Sequence, residues 1–275
     1  MKRKFYFIFF ILSFILILIS CKNNNYTETE YSYKLSDSIT DIEINWRVGD
    51  IEITSGDEFS IVETSQDEKA IAPLNYSIID NKLVLNYNNS NKDLKIVLNI
   101  SQKYNSINIK STTSYIKLLH ITVEKINIYS KSCSFYSYNC KLTILNCNIT
   151  SQKDWYATSI NTCTINTFIF LAENMYKINV ESNNCNYIFF KITRCNIINY
   201  TSNNTNFLNI TQMYGNTHLE LTSNKGYLLN IKAQLVSIDF ETIHYNNKYV
   251  FYNGECVINC INSYGTISIK RLFKL

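Results

Sequence analysis

The chain has 275 residues, 46% of them hydrophobic and 14% aromatic, and carries a formal charge of +4. That apolar content excludes a disordered chain and requires a packed core. Lys and Arg are interleaved with carboxylates rather than gathered on one stripe, which argues against a nucleic-acid partner, because a duplex binder concentrates basic side chains to displace counterions.

The N-terminus reads Met1-Lys2-Arg3-Lys4, then an apolar run from Phe5 to Ile19, then Ser20-Cys21. A charged end, an apolar middle and a small residue before the cut are the three regions of a secretory signal. The run of 15 residues is shorter than the roughly 20 that cross a bilayer as a helix, so a removed segment is expected rather than a permanent span. Leu18-Ile19-Ser20-Cys21 resembles the bacterial lipobox. The resemblance implies a signal peptide over 1–20, lipid on Cys21 as the contact with a membrane, and a place in the cell envelope. The protein would be anchored to the outer or cytoplasmic membrane and face outside the cytoplasm. Removing residues 1–20 with their three basic side chains leaves 255 residues and a charge of +1, so little long-range field remains. The segment 21–33, with its Asn run and Thr/Glu alternation, lacks apolar periodicity and reads as a flexible tether. Residues 34–275 read as a single β-repeat domain.

From Ile42 onward apolar and polar residues alternate in short runs, such as Ile42-Glu43-Ile44, Leu83-Val84-Leu85, Ile107-Asn108-Ile109 and Leu142-Thr143-Ile144. Period two predicts strands with one buried face, and no window has the spacing of an amphipathic helix. Pro73 sits in a less regular connection around 68–75 that interrupts the first strands. The runs then recur. Ile178, Ile188, Ile198, Leu208, Leu219, Leu229 and Ile238 arrive at intervals of 9 to 11 residues, and Ile107, Ile116, Ile126, Phe135 and Ile144 at 9 or 10. Two strands with their turns therefore take about 20 residues, the size of one coil. The spacing predicts an all-β, solenoid-like parallel β-helix with two short strands per coil. An antiparallel β-sandwich or meander has similar strand spacing. Gly and Pro, which would mark its hairpins, are scarce between Ser106 and Thr211, and this favours the solenoid.

Several segments carry a family resemblance: Val48-Gly49-Asp50-Ile51-Glu52-Ile53, Lys82-Leu83-Val84-Leu85-Asn86-Tyr87, Asp93-Leu94-Lys95-Ile96-Val97-Leu98 and Tyr264-Gly265-Thr266-Ile267-Ser268-Ile269. With them, most of Ser38 to Arg271 resembles the bacterial putative-adhesin β-strand-repeat family, a domain of unknown function in exported proteins. Ser101 stands where members often have Pro, and Ser114 and Asn139 where they have turn glycines. The resemblance implies an all-β solenoid-like domain and an adhesive role, with no catalytic residues to carry over.

Apart from Cys21 there are eight cysteines, Cys133, Cys140, Cys147, Cys163, Cys185, Cys195, Cys256 and Cys260. An even number outside the cytoplasm permits disulfides. Small inward-facing ladder residues are the favoured alternative. The absence of CxxC spacing and the presence of only three histidines leave no metal site or cofactor to expect. Between Cys133 and Met213 the carboxylates are Asp154, Glu173 and Glu181, too dispersed for the paired acids of a carbohydrate-active β-helix enzyme. His120, His218 and His244 read as solvent-facing strand residues. The densest aromatic run, Cys133-Ser134-Phe135-Tyr136-Ser137-Tyr138, offers Phe135, Tyr136 and Tyr138 as a binding patch for a protein or glycan ligand. The expected function is thus a non-catalytic binding role, adhesion first, with a regulatory or envelope-stress accessory as the alternative.

Overall fold

The computed structural model describes residues 29–35, 38–65, 74–88, 94–101, 103–150, 156–202, 205–221, 226–239, 241–243, 248–251 and 256–271. The expected signal peptide over 1–20, Cys21, Pro73, Asp154 and His244 lie outside them. Every regular element among the described residues is a strand. In chain order these are β1 (Thr29–Lys34), β2 (Asp41–Ser55), β3 (Ser60–Ser65), β4 (Asn75–Ile79), β5 (Lys82–Tyr87), β6 (Leu94–Ile100), β7 (Tyr104–Leu119), β8 (Thr122–Tyr138), β9 (Lys141–Ile149), β10 (Ala157–Asn161), β11 (Thr164–Ser202), β12 (Phe207–Leu221), β13 (Tyr227–Lys232), β14 (Leu235–Ile238), β15 (Glu241–Ile243), β16 (Lys248–Phe251) and β17 (Cys256–Arg271).

The central pairing is parallel. Ile107 of β7 pairs with Ile126 of β8, and Ile126 with Leu145 of β9, each step 19 residues. Tyr187 of β11 pairs with Phe207 of β12 after 20. β8, β9, β11 and β10 close a ring of parallel pairings, because the halves of β8 and β11 pair separately with β9 and β10. Among the described residues antiparallel pairing is confined to β1–β3, β3–β6 and β4–β5 at one end, and to β13–β16 and β14–β15 at the other. An antiparallel sandwich or meander therefore does not describe the middle of the molecule.

Stacking order differs from chain order at both ends. β2 lies between β5 with β6 on one side and β7 on the other, and β17 lies between β12 on one side and β13 with β14 on the other. The antiparallel strands then cover hydrogen-bonding edges that would invite another chain. At the first end β1 begins at Thr29, so residues 29–33 of the expected tether are paired backbone rather than linker.

In-register parallel strands place like side chains above one another. Leu83, Ile42, Ile107, Ile126, Leu145, Phe168, Ile188, Leu208, Ile258 and Leu229 form one buried row, and Ile96, Ile51, Ile116, Phe135, Ile178, Ile198 and Ile267 mark another. Each large aliphatic contributes about 1.5–3 kcal/mol on burial. Phe135 is thus core, 1% exposed, and is not part of a binding patch. Leu145 rather than Ile144 holds the inward place, because Leu142 and Leu145 both point inward with two outward residues between them. The same buried-out-out-buried step occurs at Val123–Ile126, Ile165–Phe168 and Cys185–Ile188, where the chain bends around the core and the strict alternation slips.

Two further features make the bends. Residues with left-handed backbone, His120, Asn139 and Thr162, end successive repeats. Gly49 and Gly215 sit at φ +118, and a Cβ at Gly215 would overlap the carbonyl oxygen of Cys195 on the next repeat. Only glycine combines that torsion with that approach. The bend beside it is tied by buried Gln212, which donates to the Cys195 carbonyl at 2.6 Å and the Tyr214 carbonyl at 2.9 Å and accepts from Thr217 at 2.6 Å. Strands β7, β8 and β12, of 16, 17 and 15 residues, run on through these bends where two short strands are expected.

Candidate binding faces

Outward side chains stack as the inward ones do, so each outward position forms a column along the molecule. The most regular column is asparagine. Asn127 donates to Asn108 at 2.6 Å and Asn146 donates to Asn127 at 2.8 Å, and further along Asn230 donates to Asn259 at 2.6 Å. Between these polar stretches the column changes to Ile169 and Phe189 before returning to Asn209. Neighbouring columns add Leu171, Tyr187 and Phe207, and the Phe189 and Phe207 rings lie 5.3 Å apart. Tyr187 is 45% exposed and Phe189 38%. Contiguous apolar surface where the asparagine column is interrupted has no role in packing the core, and patches of this kind mark interaction surfaces.

The signal for this face is in the sequence. Phe168-Ile169-Phe170-Leu171 and Tyr187-Ile188-Phe189-Phe190 are apolar at both parities, whereas in runs such as Ile107-Asn108-Ile109 one parity is polar. Ile188 and Phe190 are buried, which leaves Tyr187 and Phe189 for solvent.

The aromatic run singled out from the sequence divides between core and surface. Phe135 faces inward, while Tyr136 and Tyr138 face out and pair in register with Lys117 and Leu119 of β7. Lys117 lies 5.2 Å from the Tyr115 ring centroid, and His120 packs edge-on to Tyr138 at 5.3 Å. Tyr115, Lys117, Tyr136 and Tyr138 therefore form a small mixed patch on the face built from the second half of each repeat. His120 occupies a left-handed turn, φ 57, rather than a strand, and its Nδ1 lies 3.0 Å from the Asn139 amide nitrogen. His218 faces solvent on β12, as expected. A third aromatic group lines a bend, where Arg194 sits 5.2 Å from the Tyr214 ring and Tyr214 stacks on Tyr264 at 5.0 Å.

Several acidic residues are paired. Glu220 pairs with Lys270 at 3.7 Å and accepts from Thr201 at 3.4 Å, and Asn179 donates to Glu181. Glu181, Thr201, Glu220 and Lys270 line a groove with Asn199, His218 and Ser268. At the other end the Lys82 hydrogen bond, followed by that of Lys110, holds Glu43 down to about 2. Glu63 on β3 is fully buried with no hydrogen-bond partner on either carboxylate oxygen, and burial pushes it up to about 7.

All eight cysteines from Cys133 to Cys260 are buried thiols outside any disulfide, in keeping with inward ladder positions. Cys147 stacks between Ile128 and Phe170, and Cys260 between Ile210 and Ile231. Burial pushes the thiols of Cys133, Cys185, Cys195 and Cys260 up to about 12, so they act as small apolar residues.

No protein-family model and no curated protein matches the chain. Solved structures do. A putative adhesin from Parabacteroides merdae is similar with a TM-score of 0.50 at 12% identity, over 90% of this chain and 97% of that one. A putative adhesin from Bacteroides fragilis follows at TM-score 0.48 and 14% identity, over 89% and 97%. A protein from Parabacteroides distasonis named as a putative lipid binding protein gives 0.38 and 13%, over 91% and 98%. The first of these likenesses establishes a shared all-β fold that spans both chains nearly end to end.

Proposed function

We propose that the chain is an exported lipoprotein, cut before Cys21 and held by lipid on that cysteine to the outer or cytoplasmic membrane, facing outside the cytoplasm. Its parallel repeats form a solenoid that binds a protein or glycan ligand without catalysis, in the manner of an adhesin. The observation that carries the binding role is the break in the asparagine column. Amides that satisfy one another are replaced on two adjacent repeats by Ile169 and Phe189, beside Leu171, Tyr187 and Phe207. Aromatic surface of this kind provides large contact area at low entropic cost. The Bacteroides and Parabacteroides proteins of similar fold bear adhesin names, which agrees with this role.

The test is attachment of purified protein to immobilised cell-surface and matrix preparations. Tyr187→Ser with Phe189→Ser is expected to lower attachment at least tenfold with the melting temperature unchanged. Tyr136→Ser with Tyr138→Ser probes the other patch. Undiminished attachment in both double variants would overturn the binding role. Cys21→Ser, followed by fatty-acid labelling in cells, tests the anchor separately, and persistent labelling would overturn it.

A further inference from the structure

We infer that Cys140 and Cys163 form a disulfide joining adjacent repeats when the protein meets a small-molecule or protein disulfide. Lys141 and Thr164 are register partners of parallel strands β9 and β11, so the cysteines one residue before them face each other across the step between repeats. Thr164 N–H donates to the Cys140 carbonyl at 2.8 Å, which fixes the two backbones side by side. Neighbouring strands lie about 4.8 Å apart, inside the roughly 4.4–6.8 Å Cα separation that a disulfide spans. Both cysteines follow a left-handed residue, Asn139 and Thr162, each at φ 51, so the two side chains leave equivalent bends.

The two cysteines are in contact. The Cys163 sulfur accepts from the Cys140 N–H at 3.4 Å and lies 3.3 Å from the Ser137 hydroxyl. Each sulfur also donates to a backbone carbonyl, Cys140 to Tyr138 and Cys163 to Asn161, both at 3.3 Å, and the closeness of the pair holds the Cys140 thiol below its ordinary value while the same contact and burial push Cys163 up. Other cysteines lack this arrangement. Cys256 and Cys260 are four residues apart on one extended strand and pair with Tyr227 and Ile231 respectively, roughly 13 Å apart at about 3.3 Å per residue. Cys195 has Gly215, not a cysteine, as its register partner on β12.

The chemistry balances with oxidised glutathione as the disulfide. The Cys140 thiolate attacks one glutathione sulfur and expels a glutathione thiolate, giving a mixed disulfide. Cys163 then loses its proton and attacks the Cys140 sulfur, expelling the second glutathione. Two protein thiols are oxidised and one glutathione disulfide is reduced to two thiols.

The test uses the full-length chain in detergent, incubated with oxidised glutathione at pH 7.5, then denatured, alkylated and digested without reductant. The expected result is a peptide pair linked through Cys140 and Cys163, about 2 Da lighter than the sum of the two thiol peptides because two hydrogens are lost, with Cys133, Cys147, Cys185, Cys195, Cys256 and Cys260 alkylated. Cys163→Ala, checked for retained β circular dichroism, is expected to leave Cys140 alkylated or glutathionylated. Recovery of Cys140 and Cys163 both alkylated from the oxidised wild type, or linkage of either to another cysteine, would overturn the inference. The mapping on the wild-type chain stands whether or not the variant folds, and it is independent of the lipid anchor.

Discussion

Glu63 makes the folding stability of this protein depend on pH in an unusual direction. It lies on β3 among inward positions, two residues after Ile61, with 0% exposure and no partner for either oxygen. A carboxylate there loses its hydration without compensation, so the folded state favours the protonated acid and raises Glu63 from its ordinary 4.5 to about 7. The folded form then holds a proton that the unfolded form has released. The corresponding stability is fully present below pH 4.5 and is lost as pH rises to about 7. The interval is worth about 3 kcal/mol, at about 1.4 kcal/mol per tenfold change in proton affinity. Nearby Tyr87 is also pushed up, first by burial and then by the Glu63 charge, and its hydroxyl has no partner. Urea unfolding at pH 5 and pH 8 is the assay, compared between wild type and Glu63→Gln. The wild type is expected to lose about 3 kcal/mol between the two, and the Gln variant, which cannot ionise, to lose little. An equal loss in both proteins would refute the buried-acid argument.

The opposite slope appears at lower pH. Glu43, held down to about 2 by Lys82 and then Lys110, gives stability present above pH 4.5 and lost as pH falls toward 2. Glu43→Gln is expected to flatten acid unfolding curves in that window. Gly215→Ala places a Cβ against the Cys195 carbonyl at a torsion of +118° and is expected to cost roughly 3 kcal/mol of unfolding free energy. Asn127→Ala removes a donor to Asn108 and an acceptor for Asn146, for an expected loss of about 1–2 kcal/mol in the same measurement. Leu145→Ala is expected to cost about 2–5 kcal/mol and Ile144→Ala much less, and the reverse order would contradict the register.

Much of the fold is legible locally. The interval of about ten residues sets alternate apolar residues on the two sides of each repeat, so Ile178 and Ile198 share one buried row and Ile188 and Leu208 the other. The glycine at Gly49 and Gly265 marks a bend, and Ser114 pairs directly with Gly49 as the chain makes the same bend without glycine. Period two does not say which parity is buried once a bend slips the alternation, which is why Leu145 displaces Ile144. Nor does it resolve a run rich in aromatics, so Phe135, which keeps the ten-residue interval, is also drawn into a surface patch, and Tyr187 and Phe189 pass unnoticed. The placement of β2 and β17 between other repeats depends on which edge each end of the chain finds, and no short window records that. The burial of Glu63 is hidden for the same reason, since Ser60-Ile61-Val62-Glu63 reads as an ordinary half-exposed strand.

The parallel stack is the claim on which the binding faces rest, and spin labels on outward positions test it most directly. Labels at Asn108 and Asn127, 19 residues apart and in register, are expected to sit on backbones about 5 Å apart and give a strongly broadened spectrum. Labels at Asn108 and Lys117 fall on different sides of one repeat and are expected to give a sharp one. Broadening in the second pair and not the first, as antiparallel hairpins would produce, would contradict the account.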